Sequence, residues 1–199
     1  MYTSFDKPLW QPRSPEETRA IYRDWAATYD ADVQGAGYAT PGRIARALAE
    51  AAPDKTAPVL DFGCGTGLSG MALAAQGFTH IDGTDITPEM LEKSAATGAY
   101  RNTWASQPGD APRNGYAIIT AIGVVSLGAA PANTLDVLCN ALPQGGLLAF
   151  SYNDATLADT SYMDALKAAQ SGADLIHESY GDHLPGKAMK STIYILRAR

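Results

Sequence analysis

The sequence predicts an α/β protein with a doubly wound, mostly parallel sheet, an antiparallel C-terminal strand pair and an N-terminal helical cover. Three observations support this prediction. The first 52 residues have helical periodicity, short apolar strands alternate with helices from residue 57 onward, and two strand-like segments joined by a short loop end the chain. Because 199 residues suit one domain, we expect a single domain over residues 1–199, with a helical cap at 1–52 and the core at 53–199.

The N-terminal segment carries clear signals for the start and end of helices. Residues 14–17, SPEE, have the form of a capping box with Pro at the first helical position. Trp25 and Tyr29 follow at four-residue spacing and predict an aromatic stripe on one face. The sequence QGAG at 34–37 then interrupts the pattern, and a second helix is predicted from Thr40.

The core alternates strands with helices. The predicted strands span 58–62, 80–84, 101–105, 116–122 and 147–152, and the predicted helices span 68–76, 88–96, 131–142 and 160–170. This alternation is typical of a parallel sheet with crossover helices. Residues 174–180 and 188–198 look like two further strands, and the short connection at 181–187 requires them to run antiparallel.

Composition and charge exclude several classes of function. Fifteen Lys and Arg against 21 Asp and Glu give a net charge of −6, which disfavours binding to nucleic acid. The apolar runs are too short for a membrane span, so we expect a cytoplasmic protein that binds neither nucleic acid nor membrane. Cys64 and Cys139 cannot form a disulfide framework, and neither has a second metal ligand at suitable spacing.

The strongest motif is VLDFGCGTG at residues 59–67, in which a strand runs into a glycine loop that precedes a helix. Gly63, Gly65 and Gly67 allow the backbone to turn tightly and to approach a ligand closely. The loop follows a parallel strand, and the carboxyl ends of such strands are where open α/β sheets bind ligands. The motif therefore predicts a cofactor site.

The identity of the cofactor depends on two carboxylates. Residues 65–70 also satisfy the dinucleotide pattern G-x-G-x-x-G, and Asp85 lies twenty residues after Gly65. Asp61, however, directly precedes the loop, where its charge would repel a pyrophosphate and would suit an ammonium group. S-adenosyl-L-methionine has such a group, and Asp85 at the end of the second strand can accept hydrogen bonds from both hydroxyls of its ribose.

The loop DFGCGTG, the distal Asp85 and the later LPQGG at 142–146 resemble the class I methyltransferases, which are seven-stranded, Rossmann-like and dependent on S-adenosylmethionine. The resemblance covers about residues 40–199. Residues 22–33 are also similar to the opening of the Williams-Beuren region methyltransferase-like proteins and, more loosely, to that of the ubiquinone-biosynthesis methyltransferases.

The resemblance implies roles for individual residues. Asp61 would orient the methionine amino group, Asp85 would hold the ribose, and Ser106 with Gln107 would meet the adenine in place of the family's Gly-Asp pair. The Gly109-Asp110 of this chain falls late for that role. The predicted cofactor-binding residues are Asp61, Gly63, Cys64, Gly65, Gly67, Asp85, Ile86, Met90, Ser106, Gln107, Ala121, Trp25 and Tyr29.

Methyl transfer from a sulfonium is an in-line displacement that needs mainly positioning and a dry pocket, so a catalytic residue is optional. The sequence identifies no catalytic base and no metal site, although His183 is a candidate base. The main hypothesis is methyl transfer to a small-molecule acceptor. The alternatives are a protein that binds S-adenosylmethionine without turnover, as a regulator or partner subunit, and an NAD-dependent oxidoreductase. Trp25 and Tyr29 could equally pack the first helix against the sheet.

Overall fold

A computed structural model describes residues 9–199 of the chain. Three helices come first: α1 (Pro15–Trp25), α2 (Tyr29–Gly35) and α3 (Thr40–Ala51). The capping box is present, because the Ser14 hydroxyl accepts from the Glu17 backbone N–H at 3.2 Å and the Glu17 carboxylate accepts from the Ser14 backbone N–H at 2.8 Å. These two bonds satisfy backbone donors that the first helical turn leaves free.

The prediction of one continuous helix through Tyr29 was wrong. The chain turns between α1 and α2, and Asp32 explains why. Its carboxylate accepts from the Trp25 indole N–H at 2.7 Å and from the Thr28 hydroxyl at 3.0 Å. These local side-chain bonds stabilise a turn where the periodicity alone favours helix.

The sheet contains seven strands in the order β3-β2-β1-β4-β5-β7-β6. The strands are β1 (Val59–Phe62), β2 (Ile81–Asp85), β3 (Asn102–Ala105), β4 (Ile118–Ala121), β5 (Leu147–Asn153), β6 (Ala173–Leu184) and β7 (Met189–Ala198). The core helices are α4 (Leu68–Ala75), α5 (Pro88–Ala96), α6 (Thr134–Asn140), α7 (Asp154–Leu157) and α8 (Thr160–Ala169). Strands β1 to β5 are parallel, whereas β7 runs antiparallel to both β5 and β6. The predicted fold class is therefore confirmed.

The strand order changes direction at β1, which pairs with β2 on one side and with β4 on the other. The chain passes from β1 to β2 and β3 on one side, and then crosses back to form β4 on the other side of β1. This arrangement leaves a crevice at the carboxyl ends of the central strands, which is where such sheets bind ligands. The glycine loop lies at this end, because it directly follows β1.

Two elements near the C-terminus differ from the prediction. Strand β6 extends to Leu184, into the segment 181–187 that was predicted as a loop, and the connection to β7 is a short 3₁₀ turn at Pro185–Lys187. Two irregularities in the register, one of them between Asp182 and Leu184, let the longer strand follow β7. Residues Asp154–Leu157 form an unpredicted helix whose N-cap, Asn153, accepts from the Thr156 backbone N–H at 3.0 Å.

Hydrophobic side chains pack on both faces of the sheet. On one face Ile44 and Leu48 of α3 and Leu73 of α4 lie against the sheet, and on the other face α6 and α8 cover β4 and β5. Within residues 9–199 no helix connects β3 to β4. The connecting loop instead places the Arg113 guanidinium 4.1 Å from the centre of the Trp104 ring.

Tyr152 in β5 provides a test of the packing on the second face. Its side chain is fully buried among aromatic rings, and its hydroxyl has no hydrogen-bond partner in the part of the chain that is described. A buried unpaired hydroxyl costs about 1–3 kcal/mol. We expect Tyr152→Phe to raise the free energy of unfolding by about 1 kcal/mol, measured by urea denaturation.

The matched control is Tyr162→Phe. The Tyr162 hydroxyl donates to the Ala130 carbonyl at 3.1 Å, so removing it deletes a hydrogen bond and should lower the free energy of unfolding. Equal destabilisation by the two substitutions would contradict the description of the Tyr152 hydroxyl.

Candidate functional site

The glycine loop turns sharply between β1 and α4. Gly63 and Gly65 have positive φ values of 71° and 53°, which side-chain-bearing residues rarely adopt. A Cβ at Gly63 would lie 2.4 Å from the Val124 side chain, whereas a Cβ at Gly65 would meet nothing within 4 Å. Gly63 therefore allows the loop to pack against the residues that follow β4, and Gly65 presents bare backbone to open space.

Asp85 lies directly beside the loop, as the sequence predicts. One carboxylate oxygen accepts from the Gly65 backbone N–H at 2.9 Å, and the other accepts from the Thr87 backbone N–H at 2.8 Å. Burial raises the pKa of Asp85, and these two bonds oppose the rise. Each oxygen keeps a further lone pair, so the carboxylate can still accept from two hydroxyls of a ligand.

Asp61 is fully buried and is held by three hydroxyl groups that the sequence analysis missed. Its carboxylate accepts from Ser69 at 2.5 Å, from Tyr100 at 2.7 Å and from Thr120 at 2.8 Å. Burial raises the pKa of Asp61, and the three hydrogen bonds oppose that rise. The one available signal was Thr120, because residues 61 and 120 lie opposite each other on neighbouring parallel strands.

The side chain of Cys64 points away from open space. It is buried, and its sulfur lies 3.8 Å from the Ser94 hydroxyl. Burial raises the pKa of the thiol well above its usual range, and a protonated thiol is a poor nucleophile. Among residues 9–199, no cluster of three or more His, Cys, Asp or Glu side chains could hold a metal ion.

The residues predicted to contact adenine lie after β2 and β3. Ile86 is half-buried, while Met90 is 2% exposed and packs inside the protein. The Ser106 backbone N–H donates to the Asp85 carbonyl at 3.0 Å. Gln107 is exposed, and its side-chain oxygen accepts from Arg19 of α1 at 3.1 Å. The loop after β3 is therefore joined both to Asp85 and to the N-terminal helix.

Gly109-Asp110 shapes this same loop. The Asp110 carboxylate accepts from the Gln107 backbone N–H at 2.7 Å, and the Asp110 backbone N–H donates to the Gln107 carbonyl at 3.0 Å. Both bonds close a tight turn.

The N-terminal aromatic residues form one cluster although they lie on two helices. The centres of the Trp25 and Tyr29 rings are 4.8 Å apart, and Tyr22 stacks on Trp25 at 6.1 Å. Burial raises the pKa of both Tyr22 and Tyr29, and the negative charge of Asp85 contributes to each shift. The cluster thus lies close to Asp85.

Helix α2 also contacts the glycine loop directly. The Thr66 hydroxyl in the loop donates to the Asp30 carboxylate at 2.5 Å. The N-terminal helices therefore cover the end of the sheet at which the loop lies.

A cavity of about 60 Å³ lies between this aromatic cluster and the ends of β4, β5 and β6. Its lining includes Tyr22, Trp25, Tyr29, Tyr38, Gly123, Ser126, Ser151, Asn153 and His183, and no charged side chain belongs to the described lining. Ala121 was predicted at this site, but its side chain is fully buried in the hydrophobic core between the sheet and helices α6 and α8. The walls are therefore aromatic rings with neutral hydrogen-bonding groups between them.

His183 lies in strand β6 and not in the predicted loop, and its side chain is 7% exposed. Its Nδ1 lies 2.8 Å from the Thr40 hydroxyl, and the Tyr38 ring meets it edge-on with 5.2 Å between ring centres. Burial, followed by the positive charge of Arg43, lowers the pKa of His183 to about 4. The imidazole is therefore neutral at physiological pH.

Comparisons with known proteins agree with this geometry. A family model described as a methyltransferase domain matches residues 36–185. Methyltransferase-like protein 27 of Homo sapiens is 33% identical over an alignment of 154 residues, which covers 74% of this chain and 62% of that protein. The chain thus spans less than two-thirds of the length of this relative.

Solved structures share the fold at low sequence identity. Magnesium protoporphyrin IX methyltransferase from Synechocystis PCC 6803, crystallised with bound S-adenosylhomocysteine, has a TM-score of 0.72 and 14% identity, covering 94% of this chain and 100% of that chain. The cyclase SpnF has a TM-score of 0.61 and 15% identity, and the match covers 79% of this chain and 80% of the SpnF chain. At these identities the likeness concerns the fold alone. Within the described residues, no helix combines the length and apolar character that crossing a bilayer requires.

Proposed function

Because the chain belongs to the methyltransferase domain family, we propose that it transfers a methyl group from S-adenosyl-L-methionine to a small-molecule acceptor. The observation that carries this proposal is the pairing of Gly65 with Asp85 at the crevice of the sheet. Bare backbone and a carboxylate with free lone pairs lie side by side there, next to a cavity with neutral walls. We further propose that residues 1–52 form the cap of this single domain and that residues 53–199 form its core.

The residues around the loop fit this cofactor. Asp85 can accept from the ribose hydroxyls, Gly65 leaves room for the ligand against the loop, and half-buried Ile86 offers apolar surface. Ser106 and Gln107 lie near the same end of the sheet. Ser106 hydrogen-bonds to Asp85, and Gln107 hydrogen-bonds to Arg19 of the helix that covers it. We propose that Asp61 acts on the methionine end of the cofactor mainly by fixing the loop, since three hydroxyls already occupy its carboxylate.

The bound cofactor supplies a methyl group on a sulfonium, so that a neutral thioether leaves when the acceptor attacks. The chain then has two tasks. It holds the acceptor in line and it excludes water. The positive charge that leaves sulfur passes to the acceptor, which would then release its proton to solvent. The aromatic cluster of Tyr22, Trp25 and Tyr29 is suited to the second task because it covers the crevice with apolar rings.

The cavity supports a neutral small molecule as the acceptor. Hydroxyls, one amide and one imidazole interrupt the aromatic walls, and the described lining lacks the Lys or Arg side chains that phosphate groups require. The net charge of −6 supports the same conclusion, because it would repel a nucleic acid.

The direct test is turnover. Purified protein is incubated with S-adenosylmethionine and fractionated metabolite pools, and release of S-adenosylhomocysteine is measured. We expect release with at least one neutral, aromatic-containing fraction and none without a fraction. Release only with nucleic acid, or only with protein, would contradict the proposed acceptor class.

The alternative is binding of the cofactor without methyl transfer. The cyclase SpnF has the same fold, so the fold does not dictate the reaction. Binding of S-adenosylhomocysteine together with no release in any pool would favour this alternative. An NAD-dependent oxidoreductase has no support from the family to which the chain belongs.

Removal of the Asp85 carboxylate should weaken cofactor binding. We expect Asp85→Ala to lower the affinity for S-adenosylhomocysteine by about 1.5–3 kcal/mol, the usual contribution of hydrogen bonds to a charged group. Calorimetry gives the affinity, and melting without ligand reports how much the lost Gly65 and Thr87 contacts destabilise the fold. Asp54→Ala, an exposed change in the loop before β1, is the control. Unchanged affinity would show that the ribose is held elsewhere.

Cofactor binding should also protect the N-terminal helices. Their polar contacts with the core include exposed pairs such as Arg19 with Gln107, and lids are drawn from weakly stable segments. We expect S-adenosylhomocysteine to slow hydrogen exchange over residues 14–38 by at least about tenfold, with little change in β7. Equal exchange in both states would assign Trp25 and Tyr29 to core packing.

A further inference from the structure

A chain of buried hydrogen bonds runs from a charged side chain to the wall of the cavity. The Arg43 guanidinium lies 3.0 Å from the Ser191 hydroxyl, which lies 3.1 Å from the Thr40 hydroxyl, which lies 2.8 Å from Nδ1 of His183. Thr40 and Ser191 are fully buried. The order of these four groups determines which nitrogen of the imidazole carries the proton.

The chain has a defined direction because a guanidinium can only donate. The Ser191 hydroxyl therefore accepts from Arg43. Within the described residues, the remaining hydrogen-bond partner of that hydroxyl is Thr40. If Thr40 donated to Ser191, the proton of Ser191 would be buried without an acceptor, which is costly. Ser191 therefore donates to Thr40.

The last hydrogen bond, between Thr40 and His183, also has a defined direction. The Thr40 hydroxyl accepts from Ser191, so its own proton is available for Nδ1 of His183 at 2.8 Å. Nδ1 then acts as an acceptor, and the proton of the neutral imidazole resides on Nε2. Within residues 9–199 the hydrogen bond of the His183 ring is that of Nδ1 with Thr40, and the ring, which is 7% exposed, lines the cavity. Burial, followed by the positive charge of Arg43, lowers the pKa of the ring to about 4, so the imidazole is neutral and carries one proton.

We infer that His183 presents a fixed Nε2–H donor to the acceptor pocket and thereby selects a neutral molecule whose end in the cavity is a small group with a hydrogen-bond-accepting oxygen, such as an acetyl group. His183 is then a specificity-determining donor and not a catalytic base. The cavity of about 60 Å³ has room for a group of that size, and the rings of Tyr22, Tyr29 and Tyr38 provide apolar walls around it. The choice of molecule rests on the proposed function, whereas the position of the proton does not.

The position of the proton is measured without any ligand. Nitrogen-15 NMR of the labelled protein distinguishes the two neutral forms of an imidazole by the shifts and couplings of the ring nitrogens. We expect the Nε2–H form of His183 to exceed the Nδ1–H form by at least about tenfold in the wild type, because the alternative leaves a buried hydroxyl unpaired. Ser191→Ala should reduce that excess, since Thr40 then loses its donor. A predominant Nδ1–H form in the wild type would overturn the inference.

The oxygen preference is tested with two ligands of similar size, acetophenone and ethylbenzene, of which only the first carries a hydrogen-bond-accepting oxygen. Calorimetry is carried out in the presence of S-adenosylhomocysteine, whose own binding is measured first. We expect at least about tenfold tighter binding of acetophenone. His183→Gln keeps an amide N–H that reaches towards the pocket and should retain the preference, whereas His183→Asn should lose it.

Equal affinities for acetophenone and ethylbenzene, or binding of neither, would overturn the preference. Absence of S-adenosylhomocysteine binding would count against the proposed function and would leave the NMR result standing, so the two failures are distinguishable.

Discussion

Asp61→Ala is expected to lower the free energy of unfolding by about 3–5 kcal/mol. The substitution leaves the hydroxyls of Ser69, Tyr100 and Thr120 without their shared acceptor in a fully buried site. A buried donor that loses its acceptor costs about 1–3 kcal/mol, and three such donors come from α4, from the segment before β3 and from β4. Urea denaturation measures the change.

The matched control is Thr120→Val, which keeps the shape of the side chain and removes one of the three donors. We expect it to cost clearly less than Asp61→Ala, about 1–2 kcal/mol. If the two substitutions lowered the free energy of unfolding equally, the Asp61 carboxylate would not hold α4, β4 and the segment before β3 together. A large loss of stability in Asp61→Ala would disturb the loop. Weaker cofactor binding by this variant is therefore no evidence of a direct contact between Asp61 and the ammonium group of the cofactor.

His183 is expected to make stability fall as the solution becomes acidic. Its pKa in the folded protein is about 4, below the ordinary 6.5, so the unfolded chain binds a proton on this side chain that the folded chain excludes. The contribution is complete above pH 6.5 and is lost as the pH falls towards 4. A difference of 2.5 pKa units, from 6.5 to 4, corresponds to roughly 3 kcal/mol.

The measurement compares wild type with His183→Gln in urea at pH 7.5, 5.5 and 4. The difference in the free energy of unfolding between the two proteins should shrink by about 3 kcal/mol over this range, because glutamine does not titrate. Arg43 lowers the pKa of His183 and Asp154 raises it, and both groups are retained in the variant. A difference that is constant with pH would contradict the burial of a neutral imidazole.

The local signals in the sequence predicted the centre of the fold well. The glycine loop, the strand before it and Asp85 lie within about thirty residues, and their spacing predicted that Asp61 and Asp85 flank the loop. In the structure Asp85 accepts from the Gly65 backbone N–H. Capping at Ser14 was likewise predicted correctly, because the box is contained in four consecutive residues.

The failures concern contacts that local patterns do not carry. The break after Trp25 depends on Asp32, which competes for hydrogen bonds with a helix that the periodicity favours. The extension of β6 depends on pairing with β7. His183 therefore lies in a buried strand and not in the expected loop. There it hydrogen-bonds to Thr40, which is 143 residues earlier in the sequence.

The site itself shows the same limit. Asp61 was predicted to be functional from its position before the glycines, yet the three hydroxyls that surround it come from distant segments and only Thr120 is in register with it. The cavity draws its walls from the N-terminal helices and from the ends of three strands. Such a surface exists only after the sheet has assembled.

The central claim is that the loop between β1 and α4 binds S-adenosylmethionine. Titration calorimetry of the purified chain with S-adenosylhomocysteine and, separately, with NAD tests it most directly, because both ligands carry the adenosine that Asp85 would hold and differ in the group beyond the ribose, which is an amino acid in one ligand and a pyrophosphate in the other. We predict saturable binding of one S-adenosylhomocysteine per chain and no measurable binding of NAD. Saturable binding of NAD with no response to S-adenosylhomocysteine would contradict the account.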